Sequence, residues 1–446
     1  MELLRRYPLS ALLEEEAGQP DLKHLAADPY RVLRLASEYA SLGLYGKAVE
    51  ILSRDYPAVD ADQSEPGMTL PQRNPLVVYF RGFCREKSGE SAARDFEQAS
   101  RLSTLYIFPS TNDDRLALQA ALRSNPQDAT AHYLLGNWYF ARAETPEALR
   151  EWRAARERDP NIPALDASLG LALLHESRDF GLAFEAFHAG IADDSQNVVN
   201  YSGAADAMTL LGRAAEERVK EMERYPDLRQ MPNVLVYELA LSRAEAHNYD
   251  GAASVFSDRF FSREEGGTNV RQVWIEIRLQ QALGLAKAKR CKDALHVAEH
   301  LGEPVPGLSF TQDGLKTFVD GARAHYLLGD VYDSCGEPSR AAALFSLSSG
   351  AAGHSELVWA WAAARRNKNF AEKDWRERLS KAAQWAQERT RQGNHEGSWH
   401  YTAGILLIAA GQVEAGNGEL RESILSPDEN LSHYLARLAL EGSTPR

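Results

Sequence analysis

The sequence is poor in cysteine and contains no long apolar run. Its three cysteines, Cys84, Cys291 and Cys335, are odd in number and far apart, unlike the dense disulfide frameworks of small secreted domains. We interpret them as buried thiols in a reducing compartment, because lone cysteines are common small core residues. A stretch of about 18 apolar residues is absent, which argues against a membrane-spanning helix. The first residues lack the apolar core of a signal peptide, so we expect a cytoplasmic protein, unless the chain is a piece of a secreted one.

Motifs for cofactor chemistry are also lacking. The sequence contains no C-x-x-C pair, no G-x-x-x-x-G-K-[ST] and no G-x-G-x-x-G, so it lacks the common loops that cradle phosphates. A net charge of −13 and a pI near 5.5 repel phosphate backbones and anionic lipids. We therefore expect no cofactor, no nucleic acid and no membrane surface, and a partner that is neutral or basic.

The most informative segment spans residues 131–160, where two apolar stripes of helical period are separated by a short break. Small residues, Gly136 and Ala148, alternate with large ones, Tyr139 and Trp152, along these stripes. Small side chains let two helices approach closely while the large ones fill the adjacent space. The segment is therefore predicted to be a pair of packed antiparallel helices.

This order of small and large residues resembles the tetratricopeptide repeat (TPR), whose period is about 34 residues. The pair Leu169-Gly170 follows Leu135-Gly136 by 170 − 136 = 34, and residues 322–349 match the repeat equally well. The resemblance implies an all-α, right-handed α-solenoid of stacked antiparallel helix pairs. Such arrays present a long binding surface, so we expect a non-catalytic scaffold that binds a protein or peptide segment, not an enzyme.

The repeats vary along the chain and suggest four regions. Residues 1–128 are read as divergent TPR-like repeats with long loops, and 129–260 as the central TPR repeats. Residues 261–350 are read as TPR-like repeats with inserted loops, and 351–446 as C-terminal helical repeats and a cap. No alternating strand pattern occurs in any of them.

The chain also resembles the C-terminal helical half of bacterial proteins in which a β-rich domain of unknown function precedes TPR repeats. The resemblance lies at Arg259 to Gly267, where Glu264 stands in place of their tryptophan. It implies an alternative function, the helical accessory module of a carbohydrate-active enzyme, docked on a catalytic β-domain that this sequence lacks. An upstream extension of β-patterned residues would favour that alternative.

Two surfaces are candidate binding sites. By similarity to TPR proteins, the groove of the best repeat is lined by Tyr133, Asn137 and Phe140, which would contact a peptide; ordinary packing is the alternative interpretation. The polar loop formed by Glu264, Glu265, Gly266 and Gly267 would face a basic partner, or else serve as a helix-capping loop.

Two further patterns are interpreted as structural. His296, Glu299 and His300 match H-x-x-E-H, a zinc peptidase pattern, yet Ala294 and Ala298 on the same helix must face the core. We therefore read the histidines as a solvated helix face and expect no metal. Five tryptophans would suit sugar stacking, but their helical spacing favours core positions for most of them: Trp359, Trp361, Trp375, Trp385 and Trp399.

Overall fold

The computed structural model describes residues 6–7, 10–59, 69–257, 259–265, 267–366, 370, 372–391, 396–427 and 429–442. These residues form an all-α protein built of stacked helix pairs, as predicted. The chain divides into two compact units, unit 1 with residues 1–177 and unit 2 with residues 178–446. The division into four regions stays a prediction.

Unit 1 contains ten α-helices in its described part, followed by one π-helical turn, Ala172–Glu176. The helices are α1 (Ala11–Glu16), α2 (Leu22–Ala26), α3 (Pro29–Ser41), α4 (Tyr45–Leu52), α5 (Pro75–Lys87), α6 (Ala93–Ala99), α7 (Asn112–Ser124), α8 (Ala129–Phe140), α9 (Thr145–Arg158) and α10 (Leu165–Leu171).

Unit 2 contains fourteen α-helices and two short strands in its described part. They are α11 (Phe180–Asp193), α12 (Val198–Leu210), α13 (Ala215–Met222), α14 (Asn233–Glu245), α15 (Tyr249–Ser254), β1 (Glu264–Glu265), β2 (Thr268–Asn269), α16 (Val270–Lys287), α17 (Cys291–Glu299), α18 (Ala322–Ser334), α19 (Pro338–Ser349), α20 (Leu357–Ala364), α21 (Glu372–Thr390), α22 (Glu396–Ala409), α23 (Val413–Leu425) and α24 (Asn430–Leu440).

Side-chain caps fix where several helices begin. The carboxylate of Asp128 accepts a hydrogen bond from the Ala131 amide at 2.9 Å and thereby caps α8. The same carboxylate accepts from the Tyr79 hydroxyl of α5, also at 2.9 Å. Unpaired amides at a helix start need acceptors. Asp128 therefore caps α8 and also links it by a hydrogen bond to α5.

Close helix contacts recur wherever a glycine on one helix faces a large side chain on its neighbour. A β-carbon added at Gly136 would lie 2.4 Å from Cδ1 of Trp152, which no real contact allows. Over the described residues, this relation with an apolar or aromatic side chain holds at seven places: Gly82 with Phe96, Gly136 with Trp152, Gly203 with Phe187, Gly284 with Tyr249, Gly329 with Phe345, Gly404 with Leu420, and Gly416 with Ile408. The small and large alternation in the sequence therefore marks the helix pairs correctly.

Two local predictions differ from the structure. Residues 264–265 and 268–269 form a minimal antiparallel hairpin, in which Glu265 pairs with Thr268, although no strand is predicted from the sequence. Gly267 has a φ of +67°, which glycine adopts without strain, and this permits the tight turn. Residues 358–390 read from their sequence as one long helical stretch, whereas in the structure α20 ends at Ala364 and α21 begins at Glu372.

The prediction of three isolated thiols is wrong for two of them. Cys291, the first residue of α17, and Cys335, which follows α18, form a disulfide with a Cα–Cα distance of 5.2 Å. Stacking of successive helix pairs brings these cysteines together, although 44 positions separate them. Cys84 is a buried free thiol, as expected, and burial raises its pKa to about 12. The cysteine argument for a reducing compartment therefore no longer holds, and the cytoplasmic location stays a prediction.

Within the part of the chain that the structure describes, no helix is both long and apolar enough to cross a membrane.

The contact between Gly136 and Trp152 gives a direct test of the helix pairing. We expect Gly136→Ala to lower the free energy of unfolding by about 1–3 kcal/mol, the usual range for overpacking. The measurement is denaturant unfolding followed by circular dichroism. The matched control is Gly46→Ala in α4, where an added β-carbon meets nothing within 4 Å; this change should be neutral or stabilising. Equal stability of Gly136→Ala and the wild type would contradict the assigned pairing.

The disulfide should be detectable and should stabilise unit 2. The chain-entropy relation for a loop of this length gives a contribution of about 4 kcal/mol, before any native-state distortion is subtracted. Adding a reductant should lower the melting temperature of the wild type but not that of the double variant Cys291→Ser/Cys335→Ser. Intact-mass measurement under non-reducing conditions checks the bond itself. If both cysteines of the folded, air-exposed protein react with a thiol reagent, the pairing is wrong.

Candidate binding site

The predicted groove residues of unit 1 are largely engaged within the repeat. Tyr133 is buried, and its hydroxyl is hydrogen-bonded with Asn137 and Ser168. The Oδ1 atom of Asn137 accepts a hydrogen bond from the Trp152 indole at 2.9 Å. Phe140 is exposed, and its ring centroid lies 5.2 Å from that of Trp152. The structure therefore brings the three residues together around Trp152, and their role in binding stays a prediction.

The predicted binding loop forms the hairpin between α15 and α16. Glu264 and Glu265 constitute its first strand and Gly267 lies in its turn, whereas Gly266 is outside the described residues. Just beyond, Asn269 caps α16 by accepting from the Arg271 amide at 3.1 Å. The last residue of this hairpin therefore caps a helix, and a role of the hairpin in binding stays a prediction.

The H-x-x-E-H residues lie at the end of α17. Glu299 is engaged by Arg340 at 2.7 Å, and Nδ1 of His300 lies 2.8 Å from the backbone carbonyl of His296. Among the described residues, no group of three or more metal-ligating side chains is placed to hold an ion.

A cavity of about 240 Å³ lies in unit 2, where the first helices of successive pairs meet α24. We call it the first-helix cavity. Its walls come from α16, α18, α20, α22 and α24, whose apolar and polar side chains face one another across it. The lining residues are Gln280, Leu283, Lys287, Arg323, Tyr326, Leu327, Asp330, Trp359, Tyr401, Leu435, Leu438 and Ala439.

Aromatic rings form one wall of the first-helix cavity. The ring centroid of Tyr326 lies 5.7 Å from those of both Phe345 and Trp359. Trp359 and Trp361 are almost fully buried, at 4% and 3% exposure, as expected for core tryptophans. Of the other tryptophans in this C-terminal region, Trp375, Trp385 and Trp399 are only partly buried, and the first two pack against the apolar core.

The polar lining is organised around one ion pair. Arg323 makes two contacts with the Glu276 carboxylate, one of them 2.8 Å from Nη2 to Oε1. Gln280 donates to the same carboxylate at 2.9 Å. Burial raises the pKa of Tyr401 to about 12, so its hydroxyl remains a neutral hydrogen-bond donor. Burial also raises the pKa of Asp330, against the opposing effect of Arg366.

The chemistry of this lining suits binding. Its described residues include no serine, cysteine or histidine, so it lacks the hydroxyl or thiol nucleophile paired with a histidine base that many hydrolases use. The volume is below the roughly 300–1,000 Å³ typical of small-molecule sites.

The second feature of unit 2 is a buried charge cluster that holds α24 against α14. We call it the clasp cluster. Arg437 contacts Glu238 at 3.1 Å and Glu245 at 3.2 Å, although 199 positions separate it from Glu238. Glu245 also pairs with Arg218 of α13. The six members of the cluster, all buried or nearly so, are Asp206, Arg218, Glu238, Glu245, His433 and Arg437.

His433 is held between two acceptors. Its Nε2 lies 2.7 Å from the carbonyl oxygen of Ser426, and its Nδ1 lies 3.3 Å from Asp206. A carbonyl and an ionised carboxylate accept hydrogen bonds, so this placement favours a proton on each ring nitrogen. The pKa of His433 is raised above its ordinary value by Asp206 and Glu238 and by its bond to Ser426, although burial opposes the rise.

Sequence reasoning missed both features. Arg323, Tyr326 and Asp330 share one face of α18, as their i, i+3 and i+7 spacing indicates, and this signal was available in the repeat at 322–349. The sequence gives no comparable signal that Arg437 would meet Glu238, because α24 reads only as an amphipathic cap.

Comparison with known proteins does not identify a family for this chain. No family model and no curated protein matches the chain. Similar solved structures include Naa15/Naa10 bound to HypK-THB, with 13% identity over 93% of this chain and 66% of that one and a TM-score of 0.33. Yeast Tom70 has 14% identity over 93% and 88%, with a TM-score of 0.31. A tetratricopeptide repeat protein from Parabacteroides merdae has 14% identity over 74% and 96%, with a TM-score of 0.25. At such identities and scores, these likenesses carry no functional argument.

The raised pKa of His433 predicts a pH dependence of stability. A group whose pKa is higher in the folded than in the unfolded state contributes stability that is complete below its unfolded pKa, near 6.5. That contribution is lost as the pH rises through the folded pKa. Urea unfolding at a series of pH values from 6 to 9 should therefore show a fall in stability that is smaller in His433→Gln. Parallel pH profiles for the two proteins would contradict the double protonation of His433.

Proposed function

We propose that this chain is a non-catalytic helical-repeat scaffold that binds a neutral or basic protein segment in the first-helix cavity. The observation that carries the proposal is the composition of that cavity. Aromatic rings and leucines line it together with a few oriented polar groups, a combination typical of binding sites. Its size supports side chains of a protein segment over a free cofactor, and we expect no cofactor.

The partner segment would bury apolar side chains against aromatic rings and form hydrogen bonds with the polar groups of the cavity. Tyr326 and Trp359 offer large rigid surfaces, and such aromatic residues dominate the energetics of many interfaces. Gln280 and the neutral Tyr401 hydroxyl offer hydrogen bonds to a main chain or to a polar side chain. Asp330 pairs with Arg366 at 2.5 Å and would exchange that partner for a basic group of the ligand, and the net charge of −13 would steer a basic partner toward the protein.

Two alternative binding surfaces are the groove of unit 1 and the hairpin between α15 and α16. If Tyr133, Asn137 and Phe140 form the site, then the partner contacts unit 1. If Glu264 and Glu265 form the site, then electrostatic attraction of a basic partner dominates the binding. Loss of affinity in Tyr133→Ala or Asn137→Ala would assign the site to unit 1, and loss in Glu265→Gln would assign it to the hairpin, so a single titration series separates the three surfaces.

The test is capture of a partner from native lysate, followed by titration of the purified pair. We expect a dissociation constant in the micromolar range, typical of small transient interfaces. Tyr326→Ala should weaken binding at least about tenfold, since truncating a central aromatic contact commonly costs more than 1 kcal/mol. Asp330→Asn should weaken the salt dependence if the partner is basic.

The control is Phe260→Ala, because Phe260 is 76% exposed and lies outside the cavity lining. Its affinity should equal that of the wild type. Unchanged affinity in Tyr326→Ala, together with loss in Tyr133→Ala or Asn137→Ala, would move the site to unit 1. Retained helicity by circular dichroism is required of every variant.

A further inference from the structure

Another cavity of unit 2, of about 610 Å³, is formed by α14, α15 and the chain segments that flank them. We call it the arginine cavity. Its lining contains three arginines, Arg229, Arg243 and Arg259, and among the described residues it contains no aspartate, glutamate or histidine. The chain as a whole carries a net charge of −13, so the charge of this cavity is opposite in sign to that of the protein.

Arg259 carries a charge that its hydrogen bonds do not neutralise. Its guanidinium donates to the backbone carbonyls of Leu228 and Arg229, both at 2.6 Å, and to that of Met231. These acceptors are neutral, and within the described chain no carboxylate forms an ion pair with this guanidinium. Burial lowers the pKa of Arg259, and Asp227 only partly opposes the shift. The hydrogen bonds therefore fix the position of the guanidinium and leave its charge uncompensated.

The other two arginines add to this charge. Arg243 donates to the Gly251 carbonyl at 3.0 Å and to the Glu223 carboxylate at 2.9 Å. Its Nε is buried and has no acceptor among the described residues, although buried donors normally have one. Arg229 is exposed. Over the described chain, the three cations thus share one ion-pair partner, Glu223, which is 41% exposed and partly screened by water.

The floor of the arginine cavity is apolar. Val236, Leu239 and Arg243 are spaced at i, i+3 and i+7 along α14, which places them on one face. Val236 and Leu239 are 2% and 1% exposed, and Val255, which follows α15, also lines the cavity. Apolar walls with a few oriented polar groups are typical of small-molecule sites, and the volume lies within their usual range of roughly 300–1,000 Å³.

We propose that the arginine cavity binds a small organic anion, a monocarboxylate with an aliphatic chain. Arg229 contacts the carboxylate through charge-assisted hydrogen bonds, while Arg243 and Arg259, held in place by their own hydrogen bonds, supply a fixed positive field. The aliphatic chain covers Val236 and Leu239. The net charge of −13 disfavours a multiply charged ligand such as a nucleotide. This site is separate from the first-helix cavity, and its ligand is not the protein segment proposed above.

The test is isothermal titration calorimetry of the full-length protein with sodium octanoate. Octanol lacks the charge and acetate lacks the aliphatic chain, so these two compounds separate the two contributions. Arg229→Gln removes one charge from the lining, and Ser254→Glu adds a carboxylate to it at the exposed end of α15. The control is Arg376→Gln, which removes an arginine of α21 that is 65% exposed and lies outside the cavity.

We expect octanoate to bind the wild type at a single site and at least about tenfold more tightly than octanol or acetate, because hydrogen bonds to a charged group and apolar burial both contribute. Arg229→Gln and Ser254→Glu should each weaken octanoate binding at least about tenfold. Arg376→Gln should bind octanoate as the wild type does. All three substituted positions are exposed, and circular dichroism checks that each variant is folded.

Equal affinities for octanoate and octanol would overturn the proposal, and so would unchanged octanoate binding in both Arg229→Gln and Ser254→Glu. Acetate that binds as tightly as octanoate would overturn the aliphatic part of the ligand. An equal loss in Arg376→Gln would assign the effect to the net charge of the protein and not to this cavity. Tyr326→Ala separates the two cavities: octanoate binding that is lost there and kept in Arg229→Gln would place the anion in the first-helix cavity.

Discussion

The structure depends on how closely neighbouring helices approach. At seven places in the described chain, a glycine on one helix gives room for a large apolar or aromatic side chain on the next, as Gly136 does for Trp152. Even a methyl group there would overlap the facing ring. Interiors packed at this density tolerate neither voids nor added volume, so these contacts fix the separation of each pair and the position of the residues that it presents.

That packing has a consequence for function. When the first helices of successive pairs lie side by side, the residues on their shared face form a continuous surface. In unit 2 this surface contains the first-helix cavity, with Tyr326 and Asp330 from α18 and Trp359 from α20. Its polar groups are already positioned, because Arg323 is fixed by Glu276. A preorganised lining reduces the entropy lost on binding.

Charge has two roles in unit 2. Exposed pairs such as Arg290 with Asp293 add little stability, since water screens them. The clasp cluster is different, because Arg437 and its partners are nearly inaccessible to water. Removing one partner of such a buried pair is strongly destabilising, because the other charge is left unpaired, so the matching charges help to keep α24 in its place.

The sequence by itself determined the helix pairs, because the small and large alternation that builds Gly136 against Trp152 acts between residues only 16 positions apart. Local periodicity and capping residues such as Asp128 are enough to define such units. Only the tertiary structure decided the pairing of Cys291 with Cys335 and the meeting of Arg437 with Glu238. These contacts join different helix pairs, and small rotations accumulated from pair to pair set which distant residues come together. A local pattern of apolar residues does not predict the total rotation between distant helix pairs.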